Sequence, residues 1–135
     1  MAVKVITNAS ITINSIDLSS KSNSVTLNYE VDSVEVTAFG DGGHKFTGGL
    51  QNNSIEVALM QDFAAAATEA TIYPLVGTTT TVVIKHETGA ASATNPSYTI
   101  TGAYLAAHTP VAGGIGELMM TTLSFTGGTL VKATS

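Results

Sequence analysis

Short runs rich in Val, Ile and Thr, broken by Gly, Asn and Ser, recur from one end of this chain to the other. Within each run apolar and polar residues alternate at every second position, which places one set on each face of a strand and rules out a helical stripe. Residues 3–7 and 11–18 open the series, with Ile11, Ile13 and Ile16 apolar against Thr12, Asn14 and Ser15. After a polar turn at 19–23, strands are expected over 24–29 and 31–39, the second alternating Val34, Val36 and Ala38 with Glu35, Thr37 and Phe39. Residues 54–60 repeat the pattern with Ile55, Val57 and Leu59, and further strands are expected at 79–86, 97–107, 117–125 and 129–132.

Two segments break the pattern. Residues 40–53, GDGGHKFTGGLQNN, hold five glycines in fourteen positions. Each glycine adds backbone entropy to be lost, so the segment is expected to be an irregular loop joining the strands on either side. A loop of that length in a small domain is either disordered or functional. The other break is helical. Asp62 is a suitable N-cap, 64–67 is a run of alanines, and Phe63, Ala67, Ala70 and Tyr73 recur at helical spacing before Pro74 and Gly77 end the element. The pattern predicts an all-β fold: a small β-sandwich or partly closed barrel of about eight strands with one short flanking α-helix, residues 1–135 forming a single domain.

Only 11% of residues are charged, against about a quarter in ordinary globular domains. A neutral, hydroxyl-rich surface suits a subunit that buries much of itself against copies of itself better than it suits a lone monomer. The chain has no Cys, so disulfides and thiolate metal sites are excluded. Its cations are five lysines and its net charge is −5, a balance unsuited to holding a phosphate backbone. No signal-peptide pattern and no stretch long enough for a transmembrane helix is seen, so assembly in a cytoplasm and no membrane partner are expected.

Motifs for chemistry are weak. The run from Gly40 to Lys45 has no third glycine at the dinucleotide spacing, and no Gly-Lys-Ser/Thr occurs. His44, His86 and His108 lack a second ligand at metal spacing. Glu30, Asp32 and Glu35 read as a solvated strand face, and no nucleophile elbow is present. No catalytic residue, cofactor or metal is therefore expected, and the chain reads as a non-enzyme.

The stretch from Val34 to Asp41 ending in Phe-Gly-Asp, then Gly48-Gly49-Leu50, then the strand running into Asp62, resembles a pattern in structural proteins of actinobacterial siphophages. Tyr73-Pro74-Leu75, Asn95-Pro96, the double glycine at 113–114 and the closing segment extend the resemblance over the chain from Val34 onward. It implies the tail tube, or major tail protein, family: β-sandwich subunits closed into hexameric rings, stacked as a helical assembly that conducts DNA. The partners so implied are further copies of the chain, tape-measure, tail terminator and distal tail proteins, and DNA in transit. The location implied is the virion. A capsid decoration protein is the alternative.

Site expectations follow. Val34, Val36, Ile55, Val57 and Leu59 share one parity and are expected to face the core, leaving Glu35, Thr37 and Glu56 toward a lumen. Phe39, Gly40, Asp41, Phe46 and Leu50 are expected to form an inter-ring contact loop that gains order on stacking. Burying a Phe is worth about 1.5–3 kcal/mol, which glycines alone cannot provide. Either a neighbouring copy supplies the pocket or Phe46 folds back onto its own sandwich.

Overall fold

The computed structural model describes residues 5–65 and 67–134. It is mostly β with one short helix, as expected. In chain order the elements are β1 (Ser10–Ile13), β2 (Ile16–Asp17), β3 (Ser22–Asn28), β4 (Val31–Glu35), β5 (Phe46–Gln51), β6 (Ser54–Met60), α1 (Thr68–Ile72), β7 (Thr79–Lys85), β8 (Ser97–Leu105), β9 (Met120–Thr126) and β10 (Thr129–Ala133). The strand expected at 3–7 lies partly outside the described residues, and 5–7 are not in a strand.

The main sheet runs β2-β1-β7-β8-β9-β6-β3, with β10 added on β8 and every pairing antiparallel. Strand β8 is shared. Its residues 97–101 pair with β10, while Tyr104 and Leu105 pair with Thr126 and Phe125 of β9. Between these stretches Gly102 adopts φ +83°, and Gly128, φ +86°, lies across from it. A Cβ on Gly128 would stand 2.6 Å from the Thr101 carbonyl oxygen and 2.7 Å from Ile100 Cγ2, so only glycine fits the corner. Beyond it the sheet divides into two layers. Ile11, Ile13, Val82, Ile84 and Ile100 of one meet Ile55, Val57, Leu59, Leu123 and Phe125 of the other in a single buried cluster. Each such side chain contributes about 1.5–3 kcal/mol by leaving water. The sheet does not close: β2 and β3 end the order, and Val25 and Leu27 of β3 are only partly buried.

Three expectations need correction. Residues 40–53 are not one irregular loop, because 46–51 form β5, which pairs with β4. The glycines serve close packing there: a Cβ on Gly49 would stand 3.0 Å from Val34 Cγ2, and one on Gly48 3.3 Å from Val31 Cγ1. Strand β6 consequently takes β3 and β9 as partners instead of the strand before the loop. Ile55, Val57 and Leu59 are buried as expected, but Val34 and Val36 are 46% and 50% exposed, because β4 and β5 form a separate two-stranded sheet. Finally, the helix begins at Thr68, not Asp62. Asp62 Oδ1 accepts the Ala64 amide at 2.9 Å, in a turn ahead of the helix. The buried face is Thr68, Thr71 and Ile72, continued by Leu75, whereas Phe63, Ala70 and Tyr73 are exposed and only Ala67 of the expected face is buried. Short helices draw their stability from the apolar face they dock, which alanines scarcely supply; Ala66 lies outside the described residues.

Behind α1 sits His108, its side chain 2% exposed. Its Nε2 lies 3.8 Å from Glu69 Oε2, and neither buried atom has a hydrogen-bond partner, while Nδ1 is 3.3 Å from Thr121 Oγ1. Burial holds the imidazole below its ordinary pKa of 6.5, opposed by the Glu69 carboxylate.

Two predictions follow from this packing. Ala at Gly127, whose φ is +80° with open space around it, is expected to cost about 1–2 kcal/mol of left-handed strain, and Ala at Gly128 distinctly more, as read from urea denaturation. On acidification the unfolded chain takes up a proton at His108 near pH 6.5, before the folded chain does. Stability therefore falls as pH drops through that value and levels off below the folded pKa. His108→Gln should remove this component from a pH series of unfolding curves.

Candidate functional site

A two-stranded hairpin is marginal by itself in water, yet β4 and β5 leave the sandwich as one. What holds it is polar. At the root, the Asn52 amide donates to the Glu30 carbonyl (2.8 Å). Buried Asn53 donates through Nδ2 to Gln51 Oε1 (2.9 Å) and to the Gly128 carbonyl (3.1 Å). Gln51 Oε1 also accepts the Leu130 amide at 2.9 Å. The last residue of β5 is thus tied to the start of strand β10.

Along the shaft Val34 pairs with Thr47 and Glu35 with Phe46, and the ladder continues as the Val36 amide donates to the Lys45 carbonyl (2.8 Å). Thr37 Oγ1 accepts the Lys45 amide (2.9 Å) and donates to Glu35 Oε2 (2.9 Å), which also meets His44 Nδ1 at 2.5 Å. The bonds from His44 and Thr37 hold the Glu35 carboxyl below its ordinary pKa. At the apex Asp41 Oδ2 accepts the Ala38 amide (2.7 Å), the Asp41 amide donates to the Ala38 carbonyl (3.1 Å), and Asp41 Oδ1 pairs with Lys45 Nζ (3.0 Å). Gly40, φ +92°, supplies the bend.

This framework presents apolar side chains to solvent. Phe39 at the apex is fully exposed, and Phe46, Leu50, Val34 and Val36 are exposed along the shaft. Phe46 does not fold back onto the sandwich: it is exposed and lies across from Glu35 on the same face of the hairpin, and a register shift between Gly48 and Gln51 separates it from Leu50. The structure so brings together six of the expected site residues, Phe39, Gly40, Asp41, Phe46, Glu35 and Thr37, around the outer hairpin, with Leu50 nearer its root. Glu56 stands apart, exposed on β6 of the main sheet across from Thr26 and Ser124. Gln51 and Asn53, which anchor the hairpin, are residues that sequence reasoning passes over; the polar Gln51-Asn52-Asn53 cluster between apolar runs was the available signal. Among the described residues no group of three His, Cys, Asp or Glu is placed to hold a metal, and no helix is long and apolar enough to cross a membrane.

The apex depends on an ionised Asp41. Its pKa is lowered, first by the Ala38 amide and then by Lys45, so the tip structure is present above the ordinary carboxylate value of 3.8 and is lost as pH falls through the lower folded value. Asp41→Ala is expected to reproduce that loss at pH 7, seen as faster hydrogen exchange at the Ala38 amide with the sandwich amides unchanged.

No protein-family model matches the sequence, and no curated protein matches it. Solved structures do match the fold. The chain is similar to one in the extended sheath–tube complex of the PVC extracellular contractile injection system, with TM-score 0.70 and 11% identity over 98% of this chain and 92% of that one. It is similar to one in the tube-terminating cap of the anti-feeding prophage, with TM-score 0.69 and 14% identity over 100% and 95%. A chain in the native gene transfer agent virion matches with TM-score 0.64 and 15% identity over 97% and 99%. At such identities the likeness establishes the fold, which is the one found in these tube and tail particles.

Proposed function

We propose that this chain is a structural, non-enzymatic subunit of a tail tube, residues 1–135 acting as one tube domain. The observation that carries the reading is a rigidly built hairpin whose apolar side chains have no cover on their own subunit, on a fold shared along nearly its whole length with chains of tube-bearing particles. An exposed apolar patch of this kind marks a contact surface, and the sparse charge suits burial against copies. In this reading the subunits close into hexameric rings that stack helically, with Phe39, Gly40, Asp41, Phe46 and Leu50 making the contact between rings. Glu35, Thr37 and Glu56 face the lumen, where carboxylates repel the phosphate backbone so that DNA slides through during ejection. The siphophage pattern in the sequence favours a long-tailed bacteriophage virion, assembled in the host cytoplasm. Its tape-measure, tail terminator and distal tail proteins are the neighbouring partners.

Phe46→Ser tests the reading. Because Phe46 is exposed on the hairpin, the monomer should keep its stability within about 0.5 kcal/mol, as surface substitutions do. Negative-stain images should show open cylinders for the parent protein and none for the variant. Cylinders formed by the variant would remove Phe46 from the contact. A concentration-independent trimer of the parent in light scattering would replace the tube with the capsid decoration alternative.

A further inference from the structure

Alone among the aspartates of this chain, Asp41 stands directly before a glycine. The pairing matters chemically. An aspartyl carboxyl lies within reach of the next residue's amide nitrogen, and a five-membered imide can close between them. A side chain on that next residue obstructs the closure, and glycine has none. Asp17, Asp32 and Asp62 are followed by Leu18, Ser33 and Phe63. Around Asp41 the chain is also uncrowded, since a Cβ added to Gly40, Gly42 or Gly43 would meet nothing within 4 Å.

What restrains Asp41 is its own set of bonds. Oδ2 accepts the Ala38 amide at 2.7 Å, Oδ1 pairs with Lys45 Nζ at 3.0 Å, and the Asp41 amide donates to the Ala38 carbonyl at 3.1 Å. Imide closure expels one carboxyl oxygen, so one of the side-chain contacts is lost whichever oxygen leaves. The same two partners keep the group ionised, with its pKa below the ordinary carboxylate value. An ionised carboxylate is a poor electrophile, because the departing oxygen must leave as water.

We infer that Asp41–Gly42 is a site of spontaneous isoaspartate formation, held shut by the Ala38 amide and the Lys45 ammonium. The Gly42 nitrogen attacks Asp41 Cγ, and a C–N bond forms as a C–O bond breaks. The oxygen departs as water, taking the carboxyl proton and the amide proton. Water then reopens the imide at either carbonyl, which restores aspartate or leaves isoaspartate. The net change is an isomerisation and uses no reagent but water. In isoaspartate the main chain runs through the former side-chain carbons and the free carboxyl sits on Cα, so the bonds of the apex are not restored. Closure is confined to moments when the apex opens locally. The inference does not depend on the tube reading.

The test follows heavy-oxygen water into the protein at mildly acidic pH, because each imide that reopens takes up one solvent oxygen. Full-length parent, Lys45→Ala and Gly42→Val proteins are incubated folded, and the parent also unfolded in guanidinium chloride. Peptide fragmentation locates the label, with Asp32 of β4 as the internal reference. Gly42→Val should fold, because a side chain there meets nothing. Label should enter Asp41 of the unfolded parent, and enter the folded parent at least about tenfold more slowly. Lys45→Ala should take it up about fivefold faster than the folded parent, the change in opening that one exposed ion pair allows. Gly42→Val should show none at Asp41. Equal rates in folded and unfolded parent, or in parent and Lys45→Ala, would overturn the protection. An unfolded parent without label at Asp41 would overturn the site itself.

Discussion

Strand β8 gives its first residues to one layer and its last to the other, and this sharing works because Gly102 and Gly128 meet without side chains where it changes direction. The two glycines lose more backbone entropy on folding than other residues would. In return, the apolar faces of β1 and β7 come to lie over those of β6 and β9, and the buried cluster forms from strands far apart in sequence. The same corner places the Gly128 carbonyl where buried Asn53 can reach it, so the feature that makes the sandwich also fixes the point from which the hairpin departs.

The hairpin carries the opposite balance of forces. It has almost nothing to bury locally, so hydrogen bonds and ion pairs do what apolar packing does elsewhere in the molecule. Exposed ion pairs are individually weak. Here they are linked: Thr37 serves both Glu35 and Lys45, and Asp41 binds a backbone amide and an ammonium at once. An arm restricted in this way would lose less entropy on docking than a loose glycine loop.

How much of this could be read from the sequence depended on how local each determinant is. Ile55, Val57, Leu59, Leu123 and Phe125 announce their burial through period-two alternation, a property of the strand itself. Val34 and Val36 alternate in the same way and are exposed, because alternation reveals two faces but not what lies against either. Strand β5 was hidden by Gly48 and Gly49, whose missing side chains erase the pattern while allowing β4 to come close. The helix was displaced for a related reason: alanines signal propensity, whereas Ile72 and Leu75 supply the buried surface. The Phe39 and Phe46 cluster was visible as apolar residues among glycines.

The root of the hairpin is also a pivot. An arm of roughly 25 Å, taking about 3.3 Å per residue, turns a tilt of about 10° at Gln51 and Asn53 into a swing of about 4 Å at Phe39, about the width of a methyl group. Small changes in how Asn53 sits beneath Gly128 are therefore magnified at the apex. A lever of that kind makes the position of the apex a property of two amide side chains, one of them buried, at the other end of the arm.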